Sequence, residues 1–139
     1  MRSMALVGGA AWALGAGAGE ALAASPLPGA TKATCPKPTA ERLPAHGATK
    51  AAAREALREA RTIYEGEDLT GARATAFLAA HSTSPRALYA KQKCGVALWR
   101  RTVVIEMTFP AMLPSASLSQ AVVLVARFHG AYRVWAVLH

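Results

Sequence analysis

The stretch "LSQAVVLVARFHGAYRVWAVLH", residues 118–139, determines the fold class of this chain. Its first half is apolar at consecutive positions, which is typical of a strand buried on both faces in the interior of a sheet. Its second half is rich in β-branched and aromatic residues. The His129-Gly130 dipeptide between the halves suits a tight hairpin turn, because Gly130 accepts a positive φ. The stretch therefore predicts an antiparallel hairpin.

A third strand is indicated by "ALWRRTVVIEMTF", residues 97–109, which alternates between apolar and polar positions. One face carries Trp99, Val103, Ile105, Met107 and Phe109, and the other carries Arg100, Thr102, Glu106 and Thr108. We expect Glu106 to pair with Arg127 or Arg101. Residues 72–81 fit a strand or a helix, and the strand is preferred because the segment follows Gly71 and has no charged helical face.

Two helices precede or interrupt these strands. Residues 49–64 place apolar side chains on one arc at 100° per residue and charged side chains on the opposite arc, which predicts an amphipathic helix. Ser84 as N-cap, Pro85 at the first position and Gly95 as C-cap predict a short helix over 85–94. The predicted fold class is α+β: one long amphipathic helix packed on a three- to four-stranded antiparallel sheet.

The N-terminal third indicates export. Residues 1–23 show an arginine, an apolar run and the small-residue pattern Ala21-Leu22-Ala23, which is the order of a secretory signal. Residues 24–47 contain five prolines and read as an irregular arm, followed by a single domain over 48–139. The apolar run is too short for a transmembrane helix, so we expect a secreted, extracellular protein without a membrane span after processing.

The chain contains only two cysteines, Cys35 in the arm and Cys94 at the end of the predicted short helix. In an exported domain of this size such a pair most often forms a disulfide bond. A catalytic thiol needs a histidine or cationic environment, and no Cys-His motif is visible. The expected role of the two cysteines is to attach the arm to the domain.

The positive charge lies mainly in the second half of the chain. Residues 69–139 contain eight Lys or Arg residues and a single acidic residue, Glu106, within a chain of net charge +8. This bias indicates either a generally basic, soluble protein or a surface that attracts an anionic partner. The candidate residues for an anionic-partner patch are Lys91, Lys93, Arg100 and Arg101. Sequence-specific recognition of nucleic acid is not expected.

No motif predicts catalytic, metal or cofactor-binding residues. The four histidines are scattered singly, and the serines of "PSASLSQ", residues 114–120, lack a nucleophile-elbow pattern. Three hypotheses follow. The first is a secreted or cell-wall-associated domain without catalytic activity that binds an anionic polymer or a protein. The second is a small-molecule carrier with an apolar pocket between helix and sheet, and the third is a hydrolase without a visible motif.

The segments "YAKQKCG", "RRTVVIEMTFP", "SASLSQAVVLVARF" and "YRVWAVLH" resemble small exported actinobacterial proteins of uncharacterised function. The resemblance covers about residues 86–139. It implies export and three C-terminal strands, and it brings no activity, cofactor or site residue. The element order alone also resembles that of cystatin or NTF2-like folds.

Overall fold

The computed structural model describes residues 32–37, 39–112 and 119–138 of the chain. In these residues the fold is α+β, as predicted, with one antiparallel sheet and helices packed on it. The predicted signal segment, residues 1–23, lies outside the described residues. The elements are β1 (Lys32–Ala33), α1 (Ala48–Ile63), β2 (Arg73–Leu78), a 3₁₀ turn (Ala79–His81), α2 (Pro85–Cys94), α3 (Val96–Trp99), β3 (Thr102–Thr108), β4 (Gln120–Phe128) and β5 (Ala131–Leu138).

The strand order of the sheet is β1-β5-β4-β3-β2, and every neighbouring pair is antiparallel. The central strand β4 is buried continuously over residues 121–126, which accounts for its unbroken apolar run. His129 (φ 49°) and Gly130 (φ 78°) both adopt positive φ, as a type I′ hairpin turn requires. The predicted hairpin is confirmed. The preference for a strand in residues 72–81 is confirmed over Arg73–Leu78, whereas Ala79–His81 form the 3₁₀ turn.

Helices cover both faces of the sheet. On one face α1 packs against a cluster that includes Ala52, Ala56, Ala60, Val103, Ile105, Val123 and Val125. On the other face α2 and α3 pack against a cluster that includes Ala87, Ala90, Leu98, Val104, Leu124 and Ala126. The sequence pattern had placed Thr102 on a polar face. Thr102 is instead fully buried, because α3 covers that face, and its hydroxyl donates a hydrogen bond to the Leu98 carbonyl oxygen over 2.8 Å.

The long helix α1 confirms the predicted amphipathic helix over 49–64. Its buried side is a column of alanines at a spacing of four residues, Ala48, Ala52, Ala56 and Ala60. Alanine favours the helix and adds little bulk, so the helix backbone approaches the sheet closely. After the helix ends, the Tyr64 ring packs against Phe109 with 5.0 Å between ring centroids. These contacts fix α1 along the sheet.

The short helix α2 has the predicted bounds and caps. The Ser84 hydroxyl accepts a hydrogen bond from the Ala87 amide, Pro85 occupies the first turn, and Gly95 ends the helix with φ 86°. The chain then continues into the four-residue helix α3, which ends at Trp99. The expectation that Trp99 and Arg100 belong to β3 is therefore wrong, since that strand begins at Thr102.

Candidate functional site

Cys35 and Cys94 form a disulfide bond, with 5.5 Å between their Cα atoms. That separation lies in the usual range for disulfides. Both cysteines of the chain are therefore consumed, and neither is available as a nucleophile or a metal ligand. The bond attaches the N-terminal arm to the last residue of α2, as the sequence predicted.

The described residues at the centre of the arm, 32–37 and 39–41, are also held by contacts outside the disulfide. The two residues of β1 pair with Ala136 and Val137 of β5. The Arg101 guanidinium donates a hydrogen bond to the Ala40 carbonyl oxygen, and Ala40 itself is buried. The Glu41 amide donates to the Arg127 carbonyl oxygen over 2.7 Å. The arm therefore lies along the sheet face that α2 and α3 also cover.

Basic residues occur on each of the segments that meet near the disulfide. Lys91 and Lys93 lie in the last turn of α2, where positive charge also interacts favourably with the helix dipole. Arg100 and Arg101 follow α3 directly. The arm adds Lys37, which borders a groove of about 170 Å³ together with Arg101, Cys35 and Cys94. We call Lys37, Lys91, Lys93, Arg100 and Arg101 the α2–α3 surface.

The cations of the α2–α3 surface have no acidic partners within the described residues. The ion pairs that the described residues do form involve other arginines: Arg58 with Glu55 and Glu59, Arg86 with Glu106, and Arg127 with Glu41. Glu106 pairs with Arg86 over 3.2 Å, so its expected pairing with Arg127 or Arg101 is wrong. The α2–α3 surface therefore carries positive charge that neighbouring carboxylates do not neutralise.

The cations differ in how firmly they are held. The Lys91 ammonium lies 5.1 Å from the centroid of the Trp99 ring, which is cation–π geometry. Lys37, Lys91, Lys93 and Arg100 are all exposed, whereas Arg101 is half-buried and bonded to the arm. Lys91 and Arg101 are thus oriented by the fold, and the exposed side chains beside them can adapt to a partner.

A second groove lies between α1 and the start of β5, with a volume of about 510 Å³. We call it the hairpin groove. It is lined by Ala51, Arg54, Glu55, Arg58, Gly130, Ala131, Tyr132 and Arg133. A hydrogen bond from Arg58 lowers the pKa of Glu55; burial opposes this effect, and the charges of Arg58 and Arg133 reinforce it. Glu55 is therefore ionised and already paired.

The described residues contain no arrangement typical of a catalytic or metal site. They hold no cluster of three or more His, Cys, Asp or Glu residues suited to a metal ion. His46, His81 and His129 are exposed, and no described serine shares a hydrogen bond with any of them. Most of the "PSASLSQ" segment, residues 113–118, lies outside the described residues.

Comparison with known proteins adds no functional information. No family model, no curated protein and no solved structure matches the chain. The resemblance to exported actinobacterial proteins and to cystatin or NTF2-like folds therefore stays a prediction. Within the described part of the chain, no helix has the length and apolar character needed to cross a membrane.

The four cations that the sequence singled out lie in the last turn of α2 and directly after α3, and the structure adds two features that sequence reasoning missed. Lys37 joins the α2–α3 surface only because the disulfide places the arm beside α2. The sequence did contain a signal for this: Lys37 lies two residues after Cys35, and the predicted disulfide places that part of the arm beside Cys94. The hairpin groove depends on how α1 lies across the sheet, and no local sequence pattern indicates this.

Proposed function

We propose that the protein is a secreted or cell-wall-associated module without catalytic activity that binds an anionic polymer through the α2–α3 surface. The observation that carries the proposal is that the arm, the last turn of α2 and the residues after α3 carry five cations with no carboxylate partner in the described residues. Such a surface attracts polyanions over a distance set by ionic strength.

Export is supported by two independent features. The first is the signal-like composition of residues 1–23, and the second is the disulfide that uses both cysteines of the chain. Disulfides persist in oxidising compartments and are uncommon in the cytosol. The disulfide also has a direct role in the proposed site, since it holds Lys37 of the arm beside the cations of α2 and α3.

A polymer fits the α2–α3 surface better than a folded protein does. Protein interfaces are usually centred on buried aromatic and other large apolar anchors. Among the described residues, Val96 is the one large hydrophobic side chain that is exposed, with 42% of its surface accessible. Flexible lysines over an open surface suit repeated charges of low structural definition, because their ammonium groups act as mobile point charges.

The carrier and hydrolase hypotheses receive less support from the described geometry. The space between α1 and the sheet is filled by alanine and aliphatic side chains that are essentially inaccessible to solvent. The groove beside the disulfide lies outside that interface, and the hairpin groove at its edge is lined by four charged side chains rather than by an apolar wall. A hydrolase of the serine or cysteine type needs a nucleophile beside a base, and both cysteines are joined in the disulfide.

The proposal predicts that binding depends on the position of the charges. Lys91→Glu with Lys93→Glu should weaken binding of inorganic polyphosphate at least about 30-fold at low salt, because each lost lysine contributes about 1 kcal/mol and each new carboxylate repels the polymer. The matched control is Arg61→Glu with Arg73→Glu, which changes net charge equally at exposed sites on α1 and β2. Affinity is measured by fluorescence anisotropy, with circular dichroism to confirm folding.

The outcome separates three cases. A large loss in the Lys91 and Lys93 variant and a small loss in the control support the α2–α3 surface as the binding site. Equal losses would mean that net charge alone drives binding and that this surface has no special role. If the unmodified protein does not bind polyphosphate at low salt, the proposed function is wrong.

A further inference from the structure

The molecule has two basic regions on opposite sides of its sheet. The α2–α3 surface belongs to the helices that pack on Val104 and Leu124. The hairpin groove is bounded by α1, which packs on the other face against Val103 and Val123. Because a sheet with helices on both faces separates them, the two regions face different directions.

The hairpin groove has the charge needed to hold an anion. It contains three arginines and one carboxylate, Glu55. Arg58 donates hydrogen bonds to both Glu55 and Glu59, so these carboxylates fully compensate its positive charge. Arg54 and Arg133 are exposed and form no ion pair within the described residues. Two arginines are therefore available for a ligand.

The shape and side-chain chemistry of the groove suit oxyanions. A guanidinium presents a planar fork of N–H donors that binds phosphate or carboxylate oxygens in pairs. Arg54 belongs to α1 and Arg133 to β5, so the two arginines that line the groove come from different elements of the fold. A volume of about 510 Å³ lies within the range of small-ligand sites. The groove thus accepts a short anionic segment.

We propose that the hairpin groove is a second anion-binding site, for phosphate or carboxylate groups, and that one protein molecule bridges two polymer chains. The bridging part rests on the function proposed above, because the α2–α3 surface supplies the first attachment. The groove is the weaker of the two sites, since Glu55 and Glu59 reduce the local positive potential. Its contribution is a second attachment in a different direction.

The groove itself is tested with ligands too short to bridge. Arginine Nε–H signals are recorded by NMR while tripolyphosphate or citrate is added to the full chain. Shifts of Arg54 and Arg133 that saturate, with no comparable shift of Arg61 or Arg73, support the site. A stronger response to tripolyphosphate or to citrate identifies phosphate or carboxylate as the preferred group. Equal shifts of all four arginines, or none, would overturn the site.

Bridging is tested with long-chain polyphosphate and light scattering. The unmodified protein should cause scattering that rises and then falls as protein is added, because excess protein occupies each chain separately. Arg54→Gln with Arg133→Gln should keep polymer affinity within about threefold while losing most of the scattering, as expected when only the second attachment is removed. Arg61→Gln with Arg73→Gln is the matched control and should scatter like the unmodified protein.

The two proposals fail in different ways. If the protein binds polyphosphate without scattering, or if the Arg54 and Arg133 variant scatters undiminished, bridging through the groove is wrong while the proposed function stands. If the long polymer does not bind at all, both bridging and the proposed function fail. The NMR titration still decides in that case whether the groove binds small anions.

Discussion

Breaking the disulfide should destabilise the protein by about 4 kcal/mol. The bond joins residues 59 positions apart, and the chain-entropy model assigns a closed loop of that length about 4 kcal/mol. The closed loop contains α1 and β2, so its opening frees a large part of the unfolded chain. In the folded state the arm keeps its pairing with β5 and the bond from Arg101 to Ala40. The loss of stability therefore arises mainly because the unfolded chain gains conformational entropy when the loop is opened.

The perturbation is introduced as Cys35→Ser, as Cys94→Ser and as the double variant, with the remaining thiol of each single variant alkylated. All three open the same loop, so all three should lose about the same free energy of unfolding. At about 4 °C per kcal/mol for a domain of this size, the midpoint of thermal unfolding should fall by about 15 °C. Thr34→Ala, an exposed neighbour in the arm, serves as the matched control.

Urea unfolding followed by circular dichroism measures the free energies, and reduced unmodified protein should behave like the double variant. A loss below about 1 kcal/mol would refute the loop-entropy argument, since native disulfides of small domains typically contribute 2–5 kcal/mol. A double variant clearly less stable than either single variant would also refute it, because the two residues would then act independently.

Two further predictions concern α1 and the end of α2. Burial raises the pKa of Tyr64 to about 12, so the neutral phenol stabilises the fold fully below its unfolded pKa near 10, and this stabilisation is lost as pH rises towards 12. Tyr64→Phe should make urea stability fall less between pH 9 and 11 than in the unmodified protein; identical declines would contradict the assignment. Gly95 (φ 86°, ψ 171°) occupies backbone space that is essentially restricted to glycine, so Gly95→Ala should cost about 1–3 kcal/mol in urea unfolding. Gly130→Asn should cost clearly less, because asparagine tolerates left-handed φ, and equal costs would contradict this reasoning.

The strongest local signals in the sequence correspond to elements that the structure contains. The α2 bounds follow from Ser84, Pro85 and Gly95, because caps act within one helical turn. The β4–β5 hairpin follows from the His129-Gly130 turn and the apolar runs beside it. These features depend on residues close together in the chain, and sequence patterns record them well.

The features that sequence reasoning missed depend on contacts between distant segments. The helix α3 has four residues, which is too short to produce a helical period, so Trp99 was assigned to the following strand. Trp135 is the extra residue of a β-bulge opposite Leu124 and Val125, where the alternation of a strand breaks down. Coverage of the second sheet face by α2, α3 and the arm has no local signature either.

In the candidate site, too, some features follow from local sequence and others depend on contacts between distant segments. Lys91, Lys93, Arg100 and Arg101 were found from charge bias, because they lie in a run without acidic residues. Whether carboxylates from other segments neutralise them was not readable from the sequence, as the unexpected pair of Arg86 with Glu106 illustrates. Lys37 and the hairpin groove required the path of the arm and the position of α1.

The salt dependence of binding tests the central claim most directly. A single-stranded DNA oligonucleotide serves as a model polyanion, for which each neutralised phosphate contributes about −0.7 to the slope of log affinity against log salt. Lys91→Gln, Lys93→Gln and Arg100→Gln together should make that slope shallower by about 2, because three contacts of the α2–α3 surface are removed. Parallel slopes for the variant and the unmodified protein would show that these residues do not contact the polymer, and would contradict the account.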